Sequence, residues 1–230
     1  IYVDSELMDN WPVNIVDSSF KPSAITIKIA LSFIKQPTIA DIDSDGKNEI
    51  ISAYYYNLTA YKEDGSQAKG FPVMINTKKS NGALIKIQRG PAVGDVDGDG
   101  KNEIIFGDNG GYIHVISGES GLYEPGWPKR FGGELPFITT NLEDINLDGV
   151  LDILFLQYGN KNITLFASDS NGNILSGWPR VISKPGFTLY ADAYGSLSTG
   201  DINGDGNKEI IGALQWCSLE PTGCTYGKDY

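Results

Sequence analysis

The sequence predicts an all-β protein, a β-propeller built from about four blades of four strands each. An acidic motif occurs four times at intervals of roughly fifty residues, and an aromatic-Pro corner recurs at the same interval. Two unrelated motifs that share one period indicate an array of a single supersecondary unit. No segment shows a sustained helical period with caps. Four short strands in a unit of this length are typical of a propeller blade.

The acidic motif has Asp at positions 1 and 5, Asp or Asn at position 3, Gly at position 6 and an acid at position 9. We call its copies the first to fourth acidic loops, and they span residues 41–49, 95–103, 144–152 and 201–209. Each loop leads directly into apolar, mostly β-branched residues such as Ile50-Ile51 and Ile104-Ile105. This composition predicts that a strand begins where each loop ends.

The remaining parts of the unit follow in a constant order. A further strand is predicted over 57–61, 112–116 and 162–167. Turn signals come next, at Asp64-Gly65, Ser117-Gly118 and Asn171-Gly172. The aromatic-Pro corners are centred on Trp11, Phe71, Trp127 and Trp178. We interpret these corners as blade packing rather than as sugar-stacking platforms. A short apolar stretch such as 73–75, and then an alternating segment such as 25–29, lead to the next acidic loop.

We predict a single domain over residues 1–230, with repeat units at about 21–75, 83–131, 135–182 and 188–230. Residues 1–20 match the second half of a unit and would complete the last blade as a split blade, which removes free strand edges. Alternatively, the chain is part of a larger ring, because four blades is the smallest ring in the usual range. The chain starts without Met, and we expect a mature or excised segment.

The acidic loops predict calcium sites, about four ions with one in each loop. A hard dication takes six to eight oxygen ligands, and Asp, Asn and Glu side chains with a main-chain carbonyl at position 7 supply them. An EF-hand would place its acid at position 12, and zinc would need Cys or His. The predicted ligands are Asp41, Asp43, Asp45, Lys47 and Glu49; Asp95, Asp97, Asp99, Lys101 and Glu103; Asp144, Asn146, Asp148, Val150 and Asp152; and Asp201, Asn203, Asp205, Asn207 and Glu209.

Charge supports the same interpretation. Lys and Arg number 18 against 29 Asp and Glu, a net charge of −11, and about half of the acids lie in the four loops. Clustered carboxylates repel one another without a cation, so metal binding should stabilise the fold. The negative charge argues against nucleic acid as a partner. No apolar run is long enough for a membrane helix, so membrane insertion is not expected.

The loops resemble those of FG-GAP/VCBS repeats, the calcium-binding blades of integrin α-subunits and of many secreted microbial proteins. The Gly-Trp-Pro corners look more like the microbial branch, and the resemblance covers essentially the whole chain. It implies a propeller with one Ca²⁺ per loop, bound through positions 1, 3, 5, 7 and 9. Asn146 and Asn203 lower the charge at position 3, so the third and fourth sites are expected to be weaker. The family's functions include adhesion, carbohydrate binding and scaffolding beside a catalytic domain.

Other features point to an extracellular setting. Cys217 and Cys224 bracket a short loop that suits a disulfide, which forms in oxidising compartments. Asn57 and Asn162 begin N-glycosylation sequons. His114, the single histidine, lies mid-strand, where we expect a structural or surface role.

We therefore expect a secreted or cell-surface calcium-binding module without catalytic residues, structural or adhesive, whose partner is an extracellular protein or glycan. The alternative is a carbohydrate-binding or polysaccharide-degrading propeller of the lyase type. A lyase needs a base and a charge-stabilising group around a sugar cleft, and no such set stands out beyond the loops. The least repeat-like segment contains Trp216, Glu220 and Tyr226, which are candidates for contact with a partner or for a stapled loop alone.

Overall fold

The computed structural model describes residues 2–3, 6–7, 36–76, 78–79, 81–87, 89–132, 137–159, 162–183, 187–189, 196–213, 216–220 and 223–226. Strands and connections account for all of these residues, and no helix occurs among them. The described residues accordingly contain no helix that could cross a bilayer. The all-β class predicted from the repeats is confirmed. Trp11 and the alternating segment 25–29 lie outside the described residues.

Nineteen strands are described, most of them in three four-stranded antiparallel sheets. The N-terminal pair is β1 (Tyr2–Val3) and β2 (Glu6–Leu7). The first sheet comprises β3 (Thr38–Ala40), β4 (Glu49–Tyr54), β5 (Asn57–Tyr61) and β6 (Val73–Met74). The second comprises β7 (Ala92–Gly94), β8 (Glu103–Gly107), β9 (Tyr112–Ser117) and β10 (Lys129–Arg130). The third comprises β11 (Phe137–Glu143), β12 (Asp152–Tyr158), β13 (Asn162–Ser168) and β14 (Arg180–Ser183).

The C-terminal repeat is built differently. Its strands are β15 (Phe187–Leu189), β16 (Ser196–Gly200), β17 (Glu209–Ala213), β18 (Trp216–Glu220) and β19 (Gly223–Tyr226). Strand β16 pairs with β17, as in the other repeats, but β18 pairs with β15 and β19 in a separate sheet. Strands β1 and β2 pair with each other. Completion of the last blade by residues 1–20 therefore stays a prediction.

Each of the three complete sheets is a meander in which every strand pairs with its sequence neighbour. The acidic loop joins the first strand to the second, and the aromatic-Pro corner lies between the third and the fourth. In a meander these two connections are at the same end of the sheet, so each acidic loop faces the connection that follows the third strand. That connection is residues 62–72 in the first sheet and 118–128 in the second.

The sheets stack on one another, and the second and third sheets each bury both faces. Ile104 and Phe106 of β8 pack with Ile51 of the first sheet, whereas Ile105 packs with Phe155 of the third sheet. Alternate residues of one strand therefore serve two different interfaces, which follows from the period of two along a strand. A third cluster joins Leu156 and Ile163 of the third sheet to residues of β16 and β17. Buried strands of this kind need apolar residues at successive positions, as the sequence provides.

The aromatic-Pro corners are part of this packing, as the sequence predicted. Phe71 belongs to the cluster between the first and second sheets, and Trp127 to the cluster between the second and third. The indole Nε1 of Trp127 also donates to the carbonyl of Ser170 in the next sheet, at 2.9 Å. A Cβ on Gly70, whose φ is +86°, would lie 2.0 Å from the carbonyl oxygen of Ser120. Only glycine allows both this backbone conformation and this close approach between sheets.

Candidate metal centres

The first and second acidic loops each gather three carboxylates. One oxygen from each of the three side chains lies within 4.8 Å of the others, in the clusters Asp41, Asp43, Asp45 and Asp95, Asp97, Asp99. Such spacing would be strongly repulsive without a cation and matches the convergence that a divalent ion needs. Among the described residues, no other set of three Asp, Glu, His or Cys side chains converges in this way.

The position 1 carboxylate closes the turn in every loop. One of its oxygens accepts a hydrogen bond from the main-chain N–H of the position 6 glycine, at 2.8–2.9 Å. These bonds join Gly46 to Asp41, Gly100 to Asp95, Gly149 to Asp144 and Gly206 to Asp201. All four glycines have φ between +85° and +92°, which explains why position 6 is invariant within the chain.

The position 9 acid folds back over the loop that precedes it. One of its oxygens accepts from the main-chain N–H of position 2, in the pairs Glu49–Ile42, Glu103–Val96, Asp152–Ile145 and Glu209–Ile202. This bond fixes the carboxylate at the start of the second strand. Burial raises the pKa of Glu49, Glu103 and Asp152 above the ordinary value. An ionised acid held in such a place is stabilised by a cation beside it.

The donor set fits a calcium ion. In the first loop, Asp41 Oδ1 and Asp43 Oδ1 are buried and have no hydrogen-bond partner. Buried polar atoms in proteins are nearly always bonded, and a carboxylate oxygen without a partner is a place for a cation. The available ligands are oxygens from flexible loop residues, as calcium prefers. The expected four ions and their ligands stay predictions.

At position 7, the two lysines pair with acids outside their own loops, whereas Asn207 contacts an acid within its loop. Lys47 pairs with Glu63, and Lys101 pairs with Glu119 at 2.6 Å, both on the connection after the third strand. The main-chain carbonyl is then the group that position 7 can offer, as the variability of its side chain predicts. Val150 carries no polar side chain, and Asn207 donates to Asp205.

The third and fourth loops hold an amide where the first two hold a carboxylate. Asn146 donates to Asp148 Oδ2 at 2.9 Å, and Asn203 donates to Asp205 Oδ2 and Glu209 Oε1, both at 3.1 Å. These bonds tie together acids that would otherwise repel one another. To bind a cation, each amide must present its oxygen instead of its NH₂ group. The lower affinity expected for these two sites stays a prediction.

The sequence motifs did not include Lys62, the residue directly after β5. Its ammonium donates to Asp43 Oδ2 at 2.6 Å and to Asp45 Oδ2 at 3.0 Å. These bonds raise the pKa of Lys62 above its ordinary value. Lys62 thus lies against two of the three carboxylates in the first loop. A basic residue immediately after the third strand was the signal that could have found it.

A cavity of about 170 Å³ adjoins the second loop, between the second and third sheets. Asp97 and Glu103 of the loop line it, together with Glu124, Trp127 and Asn171. Burial, followed by the charges of Asp97 and Asp99, raises the pKa of Glu124. The second loop therefore has an additional acid beside it, where the first loop has a lysine.

The buried acid Glu103 predicts a pH dependence for the metal-free protein. Burial raises its pKa to about 7 from 4.5. The folded protein then holds a proton that the unfolded chain has released. The free energy of unfolding should fall by roughly 3 kcal/mol as pH rises from about 4.5 to about 7. Urea unfolding of resin-stripped protein measures this slope. Glu103→Gln keeps an acceptor for Val96 and should reduce this slope, while Glu49, Asp152 and Glu124 keep their contributions. An unchanged slope would contradict the raised pKa of Glu103.

The remaining predicted residues have the following places. His114 is fully buried in β9 and bonds to Asp108 and Tyr123, which is a structural arrangement. Asn57 is buried at the start of β5, and Asn162 is half-buried at the start of β13.

The backbone register places Cys217 opposite Tyr226, and Cys224 opposite Leu219. Because the side chains of β18 and β19 lie outside the description, the disulfide and the partner residues Trp216, Glu220 and Tyr226 stay predictions.

Stacked four-stranded meanders, each with an acidic loop between its first two strands, define a β-repeat protein. The family comparison specifies which repeat it is. The model of the FG-GAP-like repeat matches residues 41–106 and 144–212, more than half of the chain. The chain belongs to the FG-GAP-like repeat family, and the resemblance inferred from the loops is confirmed.

Individual relatives are more distant. The chain is 24% identical over 182 residues to the rhamnogalacturonan exolyase YesX of Bacillus subtilis (strain 168), covering 72% of this chain and 28% of that protein. It is similar to the biofilm matrix protein Bap1 of V. cholerae, with 21% identity and a TM-score of 0.43, over 79% of this chain and 35% of that one. It is also similar to BBS1N, crystallised in complex with ARL6DN, with 12% identity and a TM-score of 0.42, over 80% and 66% of the two chains.

Proposed function

We propose that this protein is an extracellular calcium-binding β-propeller module in which Ca²⁺ holds the blade loops in place. The proposal rests mainly on the arrangement of carboxylates in the first loop. Three carboxylates converge within 4.8 Å, and two of their oxygens, Asp41 Oδ1 and Asp43 Oδ1, are buried without a partner. A cation with several oxygen ligands satisfies both the charge and the unpaired atoms.

The propeller assignment is supported by how the sheets pack. The second sheet buries one face against the first sheet and the other against the third, and each has the same meander order. Radial repetition of such sheets produces a propeller and leaves only short edges exposed. An open array would leave one face of each terminal sheet without a partner. Ring closure is therefore the arrangement that we propose.

The calcium proposal is tested by titrating resin-stripped protein with CaCl₂ in a calorimeter. Asp97→Ala removes a charged ligand and should weaken one site about a hundredfold, whereas Asn146→Ala removes a neutral ligand and should weaken one site about tenfold. Both residues occupy position 3, so each variant is the other's matched control. Equal losses would contradict the ranking by ligand charge, and the absence of calcium binding to wild type would refute the function itself.

The module's role is structural or adhesive, without catalysis, and its partner is an extracellular protein or glycan. The ions rigidify loops at one end of the stacked sheets, and rigid loops lose little entropy when a partner binds. The chain spans less than a third of the exolyase that it matches, which suits a module that serves a larger protein. Binding of the intact protein to a glycan array, with and without Ca²⁺, would separate a glycan partner from a protein partner.

The second candidate function is degradation of an acidic polysaccharide. The match to a rhamnogalacturonan exolyase over 72% of this chain favours it. The test is to incubate the protein with rhamnogalacturonan and Ca²⁺ and to follow the unsaturated ends that β-elimination creates. Product formation that survives changes in the acidic loops but is lost with a substitution elsewhere would establish an enzyme. Absence of product at high protein concentration would favour the binding module.

A further inference from the structure

We propose that Lys62 is an internal cation of the first acidic loop, which holds the loop together without calcium and competes with calcium for its ligands. The inference rests on the proposed calcium function and concerns its regulation. Asp43 and Asp45 both accept hydrogen bonds from the Lys62 ammonium, at 2.6 and 3.0 Å. These carboxylates are the position 3 and position 5 ligands, so calcium and the ammonium need the same two acids.

The position of Lys62 is set by the backbone. Its N–H donates to the carbonyl of Ser66 at 2.8 Å, and its own carbonyl accepts from Gly65 at 3.0 Å, so the residue is held in a tight turn. Its side chain is about one-third exposed and points along the end of the sheet to the loop. The local turn fixes the backbone of Lys62, and the register of β4 with β5 places that turn beside the acids of the loop.

The other sheets show that this arrangement is specific to the first. The residue directly after the third strand is Gly118 in the second sheet and Asp169 in the third. A Cβ on Gly118 would lie 2.5 Å from the carbonyl oxygen of Ile42, so no side chain fits there. Asp169 accepts from the N–H and the side-chain amide of Asn173. Neither residue supplies a positive charge to its acidic loop.

Lys62 satisfies only part of the first loop. Its two hydrogen bonds use the Oδ2 atoms of Asp43 and Asp45, while Asp41 Oδ1 and Asp43 Oδ1 stay unpaired. A divalent ion can bind all of these oxygens at once, whereas an ammonium has three donors and a single charge. Calcium therefore displaces the ammonium at sufficient concentration, and the competition lowers its apparent affinity. The first site should fill after the second, although the two loops carry the same acids.

Calorimetric titration of the full chain, stripped of metal and then supplied with CaCl₂, tests this inference. In Lys62→Met, one site should bind calcium about tenfold more tightly than in wild type, because two charge-assisted bonds no longer oppose binding. Lys62→Gln should act in the same direction. Lys69→Met is the control, since Lys69 is an exposed lysine of the same connection whose charge acts on Glu119. It should change the affinity by less than about twofold.

Thermal melts give an independent readout. In chelator, Lys62→Met should melt below wild type, because the acids lose their internal cation; in saturating calcium the two should melt together. Unchanged affinity in both Lys62 variants, or an equal change in Lys69→Met, would overturn the inference while leaving calcium binding intact. A wild-type protein that binds no calcium would instead refute the proposed function, and the inference with it.

Discussion

Removal of calcium is expected to lower the melting temperature by about 20 °C or more. A ligand at one hundred times its dissociation constant stabilises a protein by about 2.7 kcal/mol per site. Each kcal/mol corresponds to about 2–4 °C for a domain of this size. With about four sites, the summed effect is among the largest that a single change of conditions can produce. The bound state also removes repulsion within the clusters of the first two loops.

The measurement is a calorimetric or fluorescence melt of the same protein in excess EGTA, in excess CaCl₂, and in EGTA followed by excess CaCl₂. The third sample is the control, because it contains the chelator and should recover the higher melting temperature. Magnesium at equal concentration should restore only part of it, since the loops offer flexible oxygen ligands rather than a strict octahedron. A melting temperature that EGTA leaves within about 2 °C would contradict a structural role for the metal.

The third strand of each complete sheet could be predicted closely because its signals are local. The predicted strand 57–61 matches β5, and 112–116 and 162–167 match β9 and β13 to within one residue at their ends. A β-branched run between a loop acid and a Gly turn is a short-range pattern, so it needs no knowledge of the rest of the fold. The burial of Phe71 and Trp127 was predictable for a related reason, since a repeated corner implies repeated packing.

Features that depend on contacts between distant residues could not be predicted in this way. The bond from Lys62 to Asp43 requires the third strand to end beside the loop that precedes the second strand, which only the strand register determines. The pairing of β18 with β15, around the β16–β17 pair, likewise has no local signal. From the sequence, this segment was predicted to be the least regular part of the last repeat. The structure places its strands in a separate sheet, β15-β18-β19.

Asp108, His114 and Tyr123 form a hydrogen-bonded chain within the second sheet. Asp108→Ala is expected to lower the free energy of unfolding by about 3–5 kcal/mol. Asp108 and His114 are both fully buried. Asp108 Oδ2 lies 2.8 Å from His114 Nε2, and His114 Nδ1 lies 2.8 Å from the Tyr123 hydroxyl. The other oxygen, Oδ1, accepts from the main-chain N–H groups of Gly110 and Tyr112.

The size of the effect follows from what the substitution leaves behind. Alanine would leave one ring nitrogen of His114 and two main-chain N–H groups without a hydrogen-bond partner. Each unsatisfied buried group costs about 1–3 kcal/mol. Phe106 stacks on the imidazole with ring centroids 4.7 Å apart, so the histidine cannot turn away easily. Burial, followed by the charge of Asp108, raises the pKa of Tyr123 to about 12, so its hydroxyl stays protonated and can donate to Nδ1.

Urea unfolding in saturating calcium measures the cost, and two further variants identify its cause. Asp108→Asn keeps an acceptor for Gly110 and Tyr112, and its amide can donate to the imidazole once the ring changes tautomer, so it should cost less than half as much. Glu119→Ala is the control, because it removes an exposed acid of the same sheet, paired with Lys101, and should cost less than about 1 kcal/mol. If Asp108→Ala were as mild as Glu119→Ala, the buried chain would not stabilise the sheet.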